Sequence, residues 1–274
     1  MAAPPLPRFR RYAPSKGHAM RTLAVSNYKG GVGKTTTAVN LAHVFADEGM
    51  RVLLVDLDPQ ASATDFFGLY DRAQQDGCSS IDLLYGHASV EDSAYRTGCP
   101  NIDIVPSIIE LVDQNELLLH EQTLKFALDD AEGAYDIAII DCSPVMKRLA
   151  FNAYAAASAD GMVVIPVKLD SSVMRGTALT VNAMRSVSDA LRLPMPAWKI
   201  LRTCVPGRAT ISEATGTAVL DNYFPGNQFE TVIHSSTKVC EGSWRWKAVV
   251  EAFPGSRPAR DYRALAKEVL HELG

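Results

Sequence analysis

The chain has 274 residues, of which 47% are apolar, so it is long enough to bury one sizeable core. Its formal net charge of −4 excludes a global positive field that draws the whole protein to nucleic acid or to an anionic membrane. Any such contact has to come from a local basic patch. The five cysteines form no disulfide framework or metal-binding spacing, which predicts free thiols in a reducing cytoplasm.

The N-terminal segment, residues 1–20, is rich in proline and arginine and has little periodicity, which predicts a flexible basic arm ahead of a domain at residues 21–274. The arm either contacts DNA or simply stays in water. It contains no apolar segment of the signal-peptide kind, and no apolar run in the chain reaches the roughly 20 residues that cross a bilayer. We therefore expect a cytoplasmic protein with no membrane partner.

Short β-branched runs alternate with longer helical patterns after the arm. The runs predict strands, and the patterns between them predict helices. Because several runs are almost entirely apolar, the strands are expected to be covered on both faces. This indicates an α/β fold, a doubly wound and mostly parallel sheet with helices on both faces. The predicted strands are residues 22–27, 51–56, 102–106, 136–141, 161–167 and 198–205, and the predicted helices are residues 34–48, 110–131, 147–157, 174–191, 211–223 and 261–273.

A phosphate-binding loop follows the first strand. Residues 28–35 occupy the frame of the G-x-x-x-x-G-K-[ST] motif, but the usual first glycine is replaced and Lys29 lies inside the loop, which makes this a deviant Walker A motif. The glycines let backbone N–H groups surround the phosphates of ATP, Lys34 supplies a charge, and the Thr35 hydroxyl is placed to bind Mg²⁺. Thr36 is within reach of an α-phosphate oxygen. The predicted nucleotide-binding residues are Lys29, Gly30, Gly31, Val32, Gly33, Lys34, Thr35 and Thr36.

Aspartates end two other predicted strands. Asp56 and Asp58 follow the second strand, and Asp141 follows the run Ile-Ala-Ile-Ile. A single aspartate at such a place is often only a helix cap, but three of them with a P-loop favour a catalytic edge of the sheet. We expect Asp141 to hold Mg²⁺ through a water, Asp56 to support the metal site from nearby, and Asp58 to orient the attacking water.

The loop with Lys29, the Val-Asp-Leu-Asp-Pro-Gln run at 55–60 and the Tyr-Asp-Ile-Ala-Ile-Ile-Asp-Cys run at 135–142 resemble those of ParA-type plasmid and chromosome partition ATPases. The resemblance extends over about residues 21–272. It implies an ATPase that forms an ATP-bound sandwich homodimer, in which Lys29 reaches the partner subunit's phosphates. It also implies catalytic roles for Lys29 and Lys34, and the combination of hydrolysis and dimerisation in one switch.

The same resemblance implies non-specific DNA binding by the dimer, nucleoid association, and a ParB-type partner that stimulates hydrolysis. Arg208 matches a DNA-contacting arginine of the family, and four further cations extend the predicted phosphate-facing patch. These are Lys238, Lys247, Arg257 and Arg260. The family's Ile-Pro-Arg-Asn is replaced here by Ile-His-Ser-Ser at 233–236. Trp244 and Trp246 also depart from the family pattern, and we expect them to pack onto the core, with a partner surface as the alternative.

Three other functions compete with DNA partition. A positioning ATPase for a carboxysome or a chemoreceptor cluster has nearly the same sequence features. A membrane-associated MinD-like regulator needs a basic amphipathic C-terminal helix, whereas residues 265–273 include two glutamates. A metabolic relative, such as an amide-forming synthetase, needs a second catalytic constellation, and the sequence shows none.

Overall fold

The sheet contains seven strands in the part of the chain that the computed structural model describes, which is residues 19–108, 120–144, 148–208 and 210–274. Their order across the sheet is β3-β4-β2-β5-β1-β6-β7. All neighbouring strands are parallel except β3, which pairs antiparallel with β4 at the edge. In chain order the strands are β1 (Arg21–Val25), β2 (Val52–Leu57), β3 (Tyr95–Arg96), β4 (Ile102–Val105), β5 (Ile137–Cys142), β6 (Met162–Val167) and β7 (Ala197–Arg202).

Helices cover both faces of the sheet, and several of the shortest lie in its connecting segments. In chain order they are α1 (Lys34–Asp47), α2 (Ser62–Phe66), α3 (Tyr70–Asp76), α4 (Ser80–Leu84), α5 (Val90–Ser93), α6 (Thr123–Asp130), α7 (Arg148–Ala156), α8 (Val173–Leu191), α9 (Ile211–Tyr223), α10 (Thr237–Ser243), α11 (Val249–Ala252) and α12 (Arg257–Leu273).

The sheet separates two apolar clusters because successive side chains of each strand point to opposite faces. Leu53, Val55 and Ile140 belong to one cluster, together with apolar residues of α6, α7 and α8. Leu54 and Ile139 belong to the other cluster, together with apolar residues of α1 and α12. The central strands are therefore buried on both faces, which confirms the predicted doubly wound α/β fold.

The nucleotide-binding edge lies where the carboxyl ends of the central strands meet. β1 lies between β5 and β6, and β2 follows β5 on one side. In the pairing register Val25 is opposite Asp141, and Asp56 is also opposite Asp141. The sheet thus brings the loop after β1 and the aspartates of β2 and β5 to one place, which is where open α/β sheets bind ligands.

The structure differs from the sequence predictions mainly in short elements. The predicted helix at 110–131 is shorter in its described part, where α6 begins at Thr123, and residues 109–119 and 145–147 lie outside the described residues, as does most of the predicted arm. Helix α12 begins four residues earlier than predicted, because the Ser256 hydroxyl accepts a hydrogen bond from Ala259 N and Pro258 occupies the first turn.

The expectation that both tryptophans pack onto the core is wrong. Trp244 is 86% exposed and Trp246 is 57% exposed, and both lie on the turn after α10. The described cysteines are all free thiols, as predicted. Among the described helices, none is both long and apolar enough to cross a membrane.

Candidate active site

The loop between β1 and α1 has the backbone shape of an anion cradle. Gly31 and Gly33 have positive φ angles of 71° and 86°, a conformation that glycine adopts without strain. A Cβ added at Gly30, Gly31 or Gly33 would meet no atom within 4 Å, so the concave side of the loop is open. Gly33 is the N-cap of α1 and provides no side-chain cap, so the amide groups of the first turn have no capping side chain to bind.

Lys34 is the buried cation of this loop. Its side chain is directed back over the loop, and its Nζ donates a hydrogen bond to the Lys29 carbonyl oxygen at 3.1 Å. Burial lowers the pKa of Lys34, and the nearby carboxylates of Asp141 and Asp58 oppose that shift. An anion at the loop therefore relieves an unfavourable buried charge.

Lys29, in contrast, lies at the surface of the loop. Its ammonium group forms an ion pair with the Asp170 carboxylate, and the two side chains are 30% and 39% exposed. The hydrogen bond from Lys29 lowers the pKa of Asp170 to about 2, and a hydrogen bond from Ser172 contributes. Asp170 follows β6 and precedes α8, so the carboxyl end of the strand beside β1 provides the partner of Lys29.

Three polar side chains hold the P-loop against the ends of β6 and β7. Asn27 donates a hydrogen bond to the Pro166 carbonyl at 2.7 Å and accepts one from Lys29 N at 3.0 Å. Thr203 donates to the Val32 carbonyl at 2.8 Å. The third is Thr180 of α8, which accepts from Tyr28 N.

The sequence reasoning missed Asp170, Asn27 and Thr203. The available signal was their position, because each lies in the segment after a parallel strand at the carboxyl edge of the sheet: Asn27 after β1, Asp170 after β6 and Thr203 after β7.

Asp56 fixes the segment that carries Asp58. One Asp56 carboxylate oxygen accepts from Asp58 N at 3.0 Å, and the other accepts from both the amide and the hydroxyl of Thr64 at 2.8 Å. Asp58 in turn accepts from Gln60 N at 3.0 Å. Burial raises the pKa of Asp56 to about 6, although these hydrogen bonds oppose the shift. Asp56 thus fixes the loop that carries Asp58 at the nucleotide-binding edge of the sheet.

Asp141 is the carboxylate with spare binding capacity. It is fully buried, and neither of its oxygens has a hydrogen-bond partner among the described residues. The Thr35 hydroxyl lies near the Asp141 carboxylate and lowers the pKa of Asp141, although the two groups do not have the geometry of a hydrogen bond. Burial, followed by repulsion from Asp56, nevertheless keeps the pKa well above its usual range. A buried carboxylate with no partner fits a site that a cation completes.

These features fit ATP with Mg²⁺. The open glycine cradle and the buried Lys34 match an anion, and the unpartnered Asp141 beside Thr35 matches a hard cation with oxygen ligands. The structure therefore brings together all the predicted nucleotide-site residues at one edge of the sheet.

The predicted DNA-binding residues lie elsewhere, on the segments after β7 and around the start of α12. Arg257 lies beside Gly207, the residue before Arg208, because a Cβ added at Gly207 would lie 3.9 Å from an Arg257 guanidinium nitrogen. Arg260 is exposed and donates to the Gly255 carbonyl. Two of the predicted cations have local carboxylate partners, Lys238 with Glu241 at 2.7 Å and Lys247 with Glu251 at 2.5 Å.

Comparisons with known proteins agree with this geometry. A family model described as "AAA domain" matches residues 20–195. The sporulation initiation inhibitor protein Soj of Bacillus subtilis (strain 168) is 35% identical over 256 residues, covering 91% of this chain and 98% of Soj. The chromosome partitioning protein ParA of Caulobacter vibrioides (strain NA1000 / CB15N) is 31% identical, covering 92% of this chain and 94% of ParA.

A solved structure supports the nucleotide and the metal. Cobyrinic acid a,c-diamide synthase from Mycobacterium smegmatis, with a bound ATP analog and magnesium, has a TM-score of 0.75 and 26% identity, covering 92% of this chain and 94% of the synthase. The relatives in sequence match almost the whole chain, and its phosphate loop, buried lysine and unpartnered aspartate provide the matching site. The chain therefore belongs to the ParA and Soj family of partition ATPases, whose members are P-loop enzymes that use ATP and Mg²⁺.

Proposed function

We propose that this ATPase is a DNA-partition switch, in which ATP binding joins two copies of the chain, the dimer binds DNA without sequence preference, and hydrolysis releases it. The proposal also includes a ParB-type, DNA-bound partner that stimulates hydrolysis. It is supported by the Soj and ParA relatives, which match this chain over nearly their whole length.

The observation that carries the proposal is the presence of two lysines with different placements in one phosphate loop. Lys34 is 7% exposed and faces its own cradle, whereas the Lys29 side chain is 30% exposed at the loop surface. One chain needs only the first to bind its own phosphates. The second has the placement needed to reach phosphates held by another copy, once it leaves Asp170.

The residues of this chain have separate tasks in hydrolysis. The glycine cradle and Lys34 bind and orient the phosphates, Thr35 and Asp141 hold the cation, and Asp58 orients water, with Asp56 fixing the Asp58 loop. Bound ATP with Mg²⁺ supplies the phosphoryl group and a divalent charge at its oxygens. Lys29 from the second copy adds positive charge where negative charge develops, which links dimerisation to turnover.

DNA binding is assigned to the exposed arginines Arg208, Arg257 and Arg260. Arg257 lies beside Gly207, the residue before Arg208, and neither arginine forms an ion pair with a carboxylate of the described residues. A local surface of this kind suits phosphate binding by a chain whose net charge is −4.

Co-sedimentation with DNA in ATP, in ADP and without nucleotide tests the DNA step, with Asp58→Ala used to preserve the ATP state. We expect binding only with ATP, and we expect Arg208→Glu to weaken binding and its salt dependence while nucleotide affinity stays unchanged. Lys267→Glu is the matched control, because it makes the same charge change at an exposed position of α12 further along the helix. Equal binding in all three nucleotide conditions would contradict the switch.

A further inference from the structure

Two tryptophans lie on the exposed turn after α10, and one of them, Trp246, lines a cavity beside the P-loop together with Thr35 and Thr36. Trp244 and Trp246 are 86% and 57% exposed, although tryptophan is usually largely buried. Trp198, the third tryptophan of the chain, instead packs edge-on against Phe224 with ring centroids 5.8 Å apart. Exposed indoles next to basic side chains, as in the Trp-Arg-Trp-Lys sequence at 244–247, are typical of binding surfaces.

Backbone hydrogen bonds close the turn that carries these side chains. Arg245 N and Lys247 N both donate to the Gly242 carbonyl, at 2.8 and 3.1 Å, and Trp246 N donates to the Ser243 carbonyl at 3.0 Å. A Cβ at Gly242 would lie 2.8 Å from the Lys247 carbonyl, so the turn closes tightly on a glycine. Trp246 has a φ of 56°, a strained conformation for a bulky residue that costs on the order of 1–3 kcal/mol. Strain of this kind is typical of functional positions.

A series of cations connects this turn to Arg208. Arg245 and Lys238 lie over the Phe253 ring, at 5.2 and 4.6 Å from its centroid. The chain then passes Gly255, whose carbonyl binds Arg260, and reaches Arg257 beside Gly207. We call this series the basic strip; its members are Lys238, Arg245, Arg260, Arg257 and Arg208.

Few carboxylates of the described residues neutralise the charges of the basic strip. Of its five members, Lys238 alone pairs with a carboxylate of the described residues within 4 Å, through Glu241. His234 lies between Asp261 and Arg257, with its Nδ1 at 2.9 Å from the carboxylate and its Nε2 at 2.6 Å from the guanidinium. His234 therefore bridges Asp261 and Arg257, so that this carboxylate and the guanidinium form no direct ion pair.

We propose that Trp244 and Trp246 stack on bases of DNA while the basic strip binds the phosphates. This inference rests on the proposed DNA binding and adds a second kind of contact to it. A row of cations alone can bind any polyanion. A row of cations beside two exposed indoles matches a polymer that alternates phosphates with flat aromatic rings. Because stacking requires an accessible base, single-stranded or unpaired DNA should bind better than an intact duplex.

The test uses the full chain with Asp58→Ala and ATP, and measures fluorescence anisotropy with a 30-nucleotide single strand, a 30-bp duplex and the same duplex with a central bubble. Trp244→Ala should weaken binding to the single strand and the bubble about 5- to 150-fold, which corresponds to the roughly 1–3 kcal/mol of one stacked base. The loss of affinity for the intact duplex should be smaller. Trp244→Phe should retain most of the affinity, because it keeps a ring.

Two further readouts separate stacking from simple damage to the fold. The salt dependence of DNA binding should be unchanged in Trp244→Ala but smaller in Arg257→Ala, because only the Arg257 substitution removes a phosphate contact. Tryptophan fluorescence should be quenched by DNA in the parent chain and much less so in Trp244→Ala. Nucleotide affinity and Tm of Trp244→Ala should match the parent.

The outcomes are distinguishable. If the parent chain shows no ATP-dependent DNA binding, the proposed function fails and the stacking inference fails with it. If the parent binds DNA and Trp244→Ala binds each of the three DNAs as tightly as the parent does, the stacking inference alone is overturned. Loss of binding to anionic lipid vesicles in Trp244→Ala, with DNA binding intact, would identify the turn as a membrane contact and also overturn it.

Discussion

The Lys29 ammonium is paired with the Asp170 carboxylate of its own chain. Asp170 also accepts two hydrogen bonds from Ser172, one from its amide at 2.9 Å and one from its hydroxyl at 2.7 Å, so the carboxylate is held at the start of α8. Its pKa of about 2 keeps it ionised throughout the physiological range. In the proposed switch, this ion pair has to open before Lys29 contacts the phosphates of another copy.

Asp170→Asn should therefore promote dimerisation. Without the carboxylate, Lys29 gives up less on leaving its own chain. Because one exposed ion pair contributes at most about 1 kcal/mol and two of them open per dimer, the ATP-dependent dimer should form at up to about 30-fold lower protein concentration. Sedimentation velocity with ATP, in chains that carry Asp58→Ala, measures this. Asp189→Asn at the exposed end of α8 is the control. A dimer that forms only at higher concentration would show that Asp170 supports dimerisation.

Lys34→Ala and Lys29→Ala should have different effects. The first removes the buried charge of the cradle, so ATP affinity should fall at least about tenfold, in line with the roughly 1.5–3 kcal/mol of a charged hydrogen bond. The second should leave ATP affinity nearly unchanged and remove the part of the turnover that depends on dimerisation. Titration with a fluorescent ATP analogue and steady-state phosphate release measure the two effects. Similar losses of affinity in both variants would contradict the separate tasks.

Asp58→Ala should retain ATP binding and lose hydrolysis. The carboxylate lies on a loop fixed by Asp56, and a residue that orients the attacking water contributes about 10²- to 10⁴-fold to the rate. Single-turnover phosphate release is the measurement. Asp65→Ala, an exposed aspartate in α2, removes the same charge nearby and should hydrolyse ATP normally. Normal turnover in Asp58→Ala would exclude this role.

Asp141→Asn should change how stability depends on pH. Because the folded chain holds the pKa of Asp141 above its usual value, ionisation is less favourable in the folded state, and stability decreases as pH rises from the unfolded pKa towards the folded one. Asp56, with a pKa of about 6, acts in the same direction. Without nucleotide, Asp141→Asn should therefore be more stable than the parent at pH 7.5.

The same variant should lose the stabilisation that Mg²⁺ adds to ATP, since its amide no longer offers a negative charge to the cation. Thermal unfolding at pH 5 and pH 7.5, with ATP and either Mg²⁺ or EDTA, measures both effects. The difference in stability between variant and parent should shrink as the pH falls towards the unfolded pKa, because ionisation of Asp141 then opposes folding less. A variant that is less stable than the parent at pH 7.5 would mean that Asp141 has a partner in the resting protein.

The sequence was sufficient for the features that local patterns determine. The strands that carry the site were predicted within a few residues, because buried parallel strands are continuous apolar runs and the glycine loop marks the start of α1. β3 was missed because two residues, Tyr95 and Arg96, leave no period to detect. α10 and α11 were missed for a similar reason, since each is at most two turns long.

The contacts within the site depended on tertiary structure. No local pattern indicates that Lys29 pairs with Asp170, which is 141 residues away. The exposure of Trp244 is another example, because an aromatic residue in a segment without periodicity is expected to find a core. The tight closure of the turn on Gly242, which leaves Trp244 outside a regular element, is visible only in the three-dimensional structure.

The strand order also has a consequence for the synthesis of the protein. The P-loop strand β1 is made before its two neighbours in the sheet, β5 and β6, which end at Cys142 and Val167. Arg21, the first residue of β1, also donates a hydrogen bond to the carbonyl of Gly274. The ATP-binding loop is therefore synthesised well before the two strands beside it, and the site is assembled only after β6 has been made.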